Sequence, residues 1–367
     1  MTPLIRRATR FLTAHVDAPL LGAILLLMAL GLIVIFSGSN QGLTRVTTQA
    51  ISMLVALGVM YAFANIAPHY LMRVAVPLYV LGVLLLVSVA LFGDVVHGAR
   101  RWLHVGVTRI QPSELMKIAV PLMLAWYFDH YEATLRAKNY FIAAVLLVVP
   151  VALIARQPDL GTALLVFAAG GYVLFLAGLS WRIIIALVVA GLAAIPFGWP
   201  LLHDYQRQRI LTLFDPTQDP LGSGYHIIQS TIAVGSGGIL GKGWLQGTQT
   251  RLDFIPERTT DFIFAVYSEE FGLLGNLLLL FLFLLVIARG AMITASAPTL
   301  FTRLFGGAIT LTFFTYAFVN MGMVSGILPV VGVPLPLISY GGTSLVTICL
   351  GLGILMSIQT HKKLVQS

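Results

Sequence analysis

Apolar runs of membrane length recur from one end of this chain to the other. Each run has about 20 residues, the length that an α-helix needs to cross the hydrocarbon core of a bilayer. Because backbone N–H and C=O groups within lipid must be hydrogen-bonded internally, such runs are expected to form helices. The predicted fold is an all-α polytopic membrane protein with one domain over residues 1–367.

About ten spanning helices are predicted. They cover residues 18–36, 47–67, 74–92, 112–128, 140–155, 161–177, 183–202, 262–288, 304–324 and 337–358. Residues 203–261, between the seventh and eighth helices, are rich in charge, glycine and turn residues, so we predict a large extracytoplasmic loop there. A short amphipathic helix is predicted within it over residues 225–234.

Composition excludes several classes of protein. Hydrophobic residues make up 58% of the chain and charged residues only 10%, which excludes an ordinary soluble domain. A formal charge of +8 in a membrane protein is better explained by topology and anionic lipid than by nucleic acid. Cys349 is the only cysteine, so no intrachain disulfide can form.

The distribution of charge predicts the orientation. Basic residues gather on one side, namely Arg6, Arg7, Arg10, Arg73, Arg136, Lys138, Arg182, Arg289, Arg303, Lys362 and Lys363. By the positive-inside rule that side is cytoplasmic, and it holds both termini because the number of spans is even. Most acidic residues fall on the opposite side, which favours an extracytoplasmic site for a charged substrate.

Several polar motifs interrupt the apolar pattern. Residues 235–243 suggest a phosphate loop, but Ser236 and Gly243 break its spacing, so a backbone-exposing loop is favoured. Glu114 and Lys117 share one face of a helix, where a stapling ion pair and a functional pair are equally good explanations. Asp159 is expected to cap a helix or form an Asx-turn.

Carboxylates crowd around residues 257–270. One of Thr259, Thr260 and Asp261 is expected to cap the following helix. Glu257 precedes them, and Glu269 and Glu270 lie two turns inside the apolar run, where an acid needs a partner or a proton. These acids exceed what capping requires.

The motifs together resemble the SEDS family of cell-wall polymerases, most closely its elongation branch. The resemblance extends along nearly the whole chain and rests on QPSELMKIAVPLM, QPDLGT, DPLGSGYHIIQS, PERTTDFIFA and GILPVVGVPLPLISYGG. The family fingerprint usually has histidine where Thr259 stands here. The segment PLPLISYGG by itself suggests only packing.

The resemblance implies a bacterial inner-membrane glycosyltransferase that polymerises lipid II into β-1,4-linked glycan strands outside the cell and releases undecaprenyl pyrophosphate. It also implies a class B penicillin-binding protein as partner, within a complex of other elongation proteins, and Asp261 as the essential acid. Because undecaprenyl pyrophosphate is a stable leaving group, one carboxylate acting as general base is enough.

Both substrates carry pyrophosphate, so basic groups or a divalent cation, Mg or Mn, are expected to hold them. The basic candidates are Arg101, Arg109, Lys117, Arg207, Arg209 and Arg258. Glu114 and Asp159 are candidates for orienting Lys117 or binding a metal, and Glu257 is grouped with the substrate-binding residues. No metal site can be assigned from the sequence.

Two other classes of function compete with this prediction. A lipid II flippase or ion-coupled carrier would use Glu114, Lys117, Asp159 and Glu269 as a charged path through the bundle. A pure scaffold would need none of these acids. The clustering of acids on one side favours the enzyme.

Overall fold

The computed structural model describes residues 15–96, 99–105, 108–157, 159–201, 204–219, 222–252, 254–255 and 257–364. Ten long helices run through it: α1 (Ala18–Gly38), α2 (Leu43–Ala64), α3 (Pro68–Phe92), α4 (Pro112–His130), α5 (Ala137–Ala155), α6 (Leu160–Leu176), α7 (Trp181–Gly198), α11 (Ile263–Ala295), α12 (Leu300–Val324) and α13 (Gly342–Thr360). Three shorter helices, α8 (Asp204–Phe214), α9 (Ser223–Ser236) and α10 (Thr248–Arg251), lie between α7 and α11.

Eight of the long helices are long and apolar enough to cross a membrane, and α6 is a shorter apolar helix. The remaining one, α4, carries Glu114, Lys117 and Asp129 and is largely buried among α3, α6 and α12. The predicted all-helical polytopic fold is therefore confirmed, as is the helix predicted over residues 225–234, which lies within α9.

Proline and glycine move several helix ends away from the predicted bounds. The third helix starts at Pro68 rather than at residue 74, because proline fits the first turn, where its missing N–H is not needed. The last helix starts at Gly342 rather than at residue 337, since residues 334–341 form turns. The apolar runs gave the helices and their order correctly, but not these ends.

A small antiparallel sheet between α3 and α4 is absent from the prediction. It consists of β1 (Asp94–Val96), β2 (Ala99–Val105) and β3 (Thr108–Ile110), in the order β1-β2-β3. β1 and β3 have three residues each, too few to show an alternating pattern, and the adjacent arginines at 100 and 101 break the alternation in β2.

Helix α11 is broken at Gly272, and the loop before it fills the break. Gly272 has φ 64° and ψ −160°, which frees backbone groups of the helix. Leu273 N donates to Gly238 O at 2.9 Å, and Lys242 N donates to Glu269 O at 3.0 Å. A Cβ at Gly272 would lie 2.2 Å from Gly241 N, so glycine is required for this approach. The glycine-rich stretch 235–243 thus exposes its backbone to dock on a helix.

Candidate active site

Asp261 lies in a turn at the start of α11, at the end of the bundle where α1 ends and α2, α4, α6 and α13 begin. We call this the loop end. The N-cap of α11 is Phe262, and no side chain caps the helix. The expectation that Thr259, Thr260 or Asp261 would cap it is therefore wrong, because backbone bonds of the preceding turn, such as Phe262 N to Glu257 O at 3.3 Å, serve instead. The Asp261 carboxylate is left available.

Three consecutive backbone carbonyls, those of residues 259–261, are each held by a donor from elsewhere in the chain. The donors are Tyr340 N to Thr259 O at 2.8 Å, Ser339 Oγ to Thr260 O at 2.6 Å, and Asn320 Nδ2 to Asp261 O at 2.8 Å. The segment PLPLISYGG therefore does more than pack. It fixes the backbone that carries Asp261.

The Asp261 side chain is partly exposed and lines a cavity of about 250 Å³. The opposite wall is formed by residues of the 334–348 segment, among them Leu335, Ser339 and Tyr340. Gly332, with φ +76°, approaches so closely that a Cβ there would lie 3.2 Å from Asp261 Oδ2. A carboxylate in this position can face a bound substrate.

The surroundings of Asp261 make it a stronger base than an ordinary aspartate. Burial, reinforced by the negative charge of Glu257 and opposed by Arg209, raises the pKa of Asp261 to about 6. At neutral pH most of the carboxylate is ionised, and its affinity for a proton is close to the optimum for general base catalysis at that pH.

Glu114 and Lys117 form an ion pair with 2.5 Å between Oε1 and Nζ, as their spacing predicts. Thr347 Oγ1 donates to Glu114 Oε2 at 3.3 Å, and the Lys117 ammonium lies 5.3 Å from the centre of the Tyr316 ring. Glu114 also lines a groove of about 830 Å³, otherwise mostly apolar, between α2, α3, α4 and α13. The pair therefore fastens helices, and its Glu114 borders this groove.

Asp159 caps α6, as expected, because its Oδ1 accepts a hydrogen bond from Thr162 N at 3.2 Å. Its Oδ2 accepts a hydrogen bond from Gln111 Nε2 at 3.3 Å. Asp159 and the exposed Arg209 line a second groove, of about 460 Å³, whose wall includes Val331. Asp159 thus has a structural role and also borders a cavity.

Arg207 and Arg258 bind backbone carbonyls at the loop end. Arg258 Nε donates to Gly38 O at 2.5 Å and Nη1 to Thr250 O at 2.6 Å. Arg207 donates to Trp199 O at 3.0 Å and to Pro200 O at 2.7 Å. These contacts fasten the loop between α7 and α11 to the helices.

The other predicted site residues are placed only in part. Arg101 lies on β2 and Arg109 on β3, and their side chains lie outside the described part of the chain. Glu257 is exposed and accepts a hydrogen bond from Thr260 Oγ1 at 3.0 Å.

Glu269 has the partners that an acid at this depth requires, whereas Glu270 has a partner at one carboxylate oxygen and none at Oε2 among the described residues. Glu269 is fully buried and accepts from Lys242 Nζ at 2.8 Å, and the Ser37 hydroxyl donates to Glu270. Both acids stand out in the sequence, but their partners Lys242 and Ser37 do not, because they are distant along the chain. It also missed Asn320, since one asparagine in an apolar run gives no positional signal.

Among the described residues, the acids of this site do not by themselves form a metal-binding cluster. In the described ranges, no three His, Cys, Asp or Glu side chains lie close enough together to hold a metal ion. Glu114, Asp159 and Asp261 line three different cavities.

Comparisons with known proteins cover nearly the whole chain. The sequence model of the cell cycle protein family of FtsW, RodA and SpoVE matches residues 18–364. The peptidoglycan glycosyltransferase MrdB of Escherichia coli K12 is 50% identical over 365 residues, 99% of each chain. The peptidoglycan glycosyltransferase RodA of Treponema pallidum is 33% identical, over 76% of this chain and 81% of its own.

Solved structures also match this chain. A chain of a peptidoglycan synthase complex, described as coordinating polymerization and crosslinking, matches with a TM-score of 0.82 and 34% identity, over 94% of this chain and 98% of that one. The crystal structure of RodA from Thermus thermophilus matches with a TM-score of 0.71 and 29% identity, over 94% and 97% of the two chains.

Proposed function

The chain belongs to the family of FtsW, RodA and SpoVE, and we propose that Asp261 is the general base of its peptidoglycan glycosyltransferase reaction. The protein is a multi-pass protein of the inner membrane. The observation that carries the proposal is the Asp261 carboxylate itself, partly exposed on a cavity, with a pKa raised to about 6 and its backbone clamped at three successive carbonyls.

The reaction joins two lipid-linked sugars. The 4-hydroxyl of the acceptor attacks the anomeric carbon of the donor, the bond from that carbon to the pyrophosphate oxygen breaks, and undecaprenyl pyrophosphate leaves. Asp261 takes the hydroxyl proton as the new β-1,4 bond forms, with inversion at the anomeric carbon. A positioned base of this kind contributes about a hundredfold to ten-thousandfold. No second carboxylate is needed to protonate the leaving group, in contrast to glycoside hydrolysis.

The two grooves suit substrates with a long apolar chain and a charged head. Thr343 lines both the Asp261 cavity and the groove of Glu114, while Val331, in the groove of Asp159, is next to Gly332, which faces Asp261. We assign the lipid chains of donor and acceptor to these grooves, with the pyrophosphates at the loop end. Each groove then directs the sugar of its substrate towards the same carboxylate, that of Asp261.

The candidate substrate-binding residues take different parts in this proposal. Glu114 borders one groove and Asp159 with Arg209 the other, so these residues are placed for contact with the charged heads, while Lys117 is buried beside Glu114. Arg207 and Arg258 fasten the loop between α7 and α11 at the loop end. Arg101 and Arg109, on the adjacent sheet, are proposed phosphate ligands on chemical grounds. A divalent cation, Mg or Mn, is proposed to accompany the pyrophosphates, which supply most of its ligands.

The proposed partner is a class B penicillin-binding protein, within a complex of elongation proteins. The similarity to a chain of a peptidoglycan synthase complex supports this partner. The excess of Lys and Arg on the side of both termini supports a cytoplasmic position for the termini and an extracytoplasmic one for the loop end.

A carrier function has less support. In the described part of the chain several buried charges are paired locally, as in Arg289 with Asp17 at 2.6 Å and Lys242 with Glu269 at 2.8 Å. Such pairs stabilise helix ends and loops rather than form a continuous route.

The test is polymerisation of lipid II by the purified protein with its penicillin-binding partner. Asp261→Asn should reduce glycan synthesis at least a hundredfold, while the matched control Asp215→Asn, which removes an acid from the same loop, should remain close to the parent. If Asp261→Asn polymerises as fast as the parent, the proposal fails. Loss of lipid translocation with polymerisation intact would favour a carrier.

A further inference from the structure

Asn320 is the only fully buried asparagine among the described residues, and it uses its amide group to join two loops. It lies on α12 and its relative exposure is 0%. Its Nδ2 donates to Asp261 O at 2.8 Å and to Val333 O at 2.7 Å. Both donor hydrogens of one NH₂ group are therefore used.

The oxygen of the Asn320 amide lowers the stability of the fold. Asn320 Oδ1 is buried and has no hydrogen-bond partner among the described residues. A buried acceptor without a partner costs about 1–3 kcal/mol. An apolar side chain of similar volume would avoid that cost but would leave the carbonyls of Asp261 and Val333 without this donor. What the side chain supplies is a fixed pair of donors.

The two carbonyls held by Asn320 belong to opposite sides of the candidate active site. One is that of Asp261. The other, on Val333, follows Gly332, whose position faces Asp261 Oδ2 closely. Val331, two residues earlier, lines the groove that contains Asp159. Asn320 thus links the backbone of Asp261 directly to the facing loop.

We propose that Asn320 is a positioning residue for glycosyl transfer, which holds the Asp261 backbone and the 331–333 loop at a fixed spacing. The inference rests on the proposed role of Asp261 and adds to it. A general base must approach the hydroxyl within about 2.6–3.2 Å. A displacement of 1 Å costs about a hundredfold in rate. Loss of the Asn320 amide should therefore reduce kcat far more than it changes KM.

The central variant is Asn320→Leu, similar in size but without donors, assayed as the full chain with its partner on lipid II. We expect kcat to fall about a hundredfold, KM to stay within about threefold, and the acid limb of kcat/KM to move to lower pH as Asp261 becomes more hydrated. Thr310→Val is the control, because it removes a buried hydroxyl from the same helix, away from Asp261. It should leave kcat unchanged.

Two results would overturn the inference: folded Asn320→Leu with kcat within twofold of the parent, or an equal loss of kcat in Thr310→Val. Should the leucine variant not be recovered folded, Asn320→Ser, which keeps one donor, replaces it with an expected loss of kcat about tenfold, judged by the same criteria. Asp261→Asn separates the two proposals. If that variant is inactive while Asn320→Leu is fully active, only the positioning role fails; if Asp261→Asn is active, the proposed function fails.

Discussion

Lys242 Nζ lies 2.8 Å from Glu269 Oε1, and this ion pair joins the loop between α7 and α11 to the interior of α11. Glu269 is fully buried, and it also accepts hydrogen bonds from Gln249 N at 3.0 Å and Thr250 Oγ1 at 3.2 Å. One carboxylate thus gathers two parts of the loop, the glycine-rich stretch and α10. Since Asp261 lies between that loop and α11, the pair contributes to the shape of the candidate active site.

Removing either member of the pair should loosen the loop, but by different amounts. Lys242→Met leaves the buried Glu269 carboxylate with neutral donors only, and we expect a loss of about 3 kcal/mol. Glu269→Gln leaves the partly exposed Lys242 in contact with water and should cost about 1–3 kcal/mol. Thermal unfolding and limited proteolysis of residues 237–252 measure both effects. Lys138→Met, at an exposed position on the other end of the bundle, is the control and should change neither.

Activity should fall on the acid side at an unusually high pH. The base is the ionised form of Asp261, whose pKa is raised to about 6 by burial, with Glu257 adding to the rise and Arg209 opposing it. The active fraction is therefore lost as the pH falls through about 6, whereas an ordinary aspartate would stay ionised to about pH 4. A profile of kcat/KM against pH reports this group in the free enzyme. A limb near pH 4 would contradict the assignment.

Glu257→Gln should shift the acid limb of the kcat/KM profile to lower pH without abolishing activity. The Glu257 charge raises the pKa of Asp261, so its removal lowers the pKa and extends activity to lower pH. The limb should remain above its position for an ordinary aspartate, because burial is the larger cause and is unchanged. Glu132→Gln, which removes an exposed acid far from the site, should leave the profile unmoved.

The helices could be predicted from the sequence because membrane length and apolar composition are local properties. The partners of Glu269 and of the 260–261 backbone could not, because Lys242, Asn320 and Ser339 become neighbours only when distant segments pack. Glu114 and Lys117 were found because helical spacing alone brings them together. The break at Gly272 was missed, since glycine in an apolar run is common and only the docked loop requires its positive φ.

Lys117 should be needed for substrate binding more than for the fold. Lys117→Met removes the buried cation that is paired with Glu114, which lines the groove, and we expect KM for lipid II to rise about tenfold or more, corresponding to one lost charge-assisted contact of about 1.5–3 kcal/mol. The measurement is initial rate against lipid II concentration. Glu114→Gln should have a smaller effect on KM, because Lys117 keeps its charge. A pure stapling role would instead lower thermal stability in both variants with KM unchanged.

The capping role of Asp159 can be tested separately from the role of its charge. Its Oδ1 accepts from Thr162 N at 3.2 Å, and asparagine caps a helix about as well as aspartate. Asp159→Asn should therefore keep thermal stability within about 0.5 kcal/mol of the parent, while Asp159→Ala should lose about 1 kcal/mol. If the charge matters at the groove shared with Arg209, both variants should show a similar fall in kcat/KM for lipid II. If only the cap matters, Asp159→Asn should match the parent in rate as well as in stability, and Asp159 would no longer belong among the substrate-binding residues.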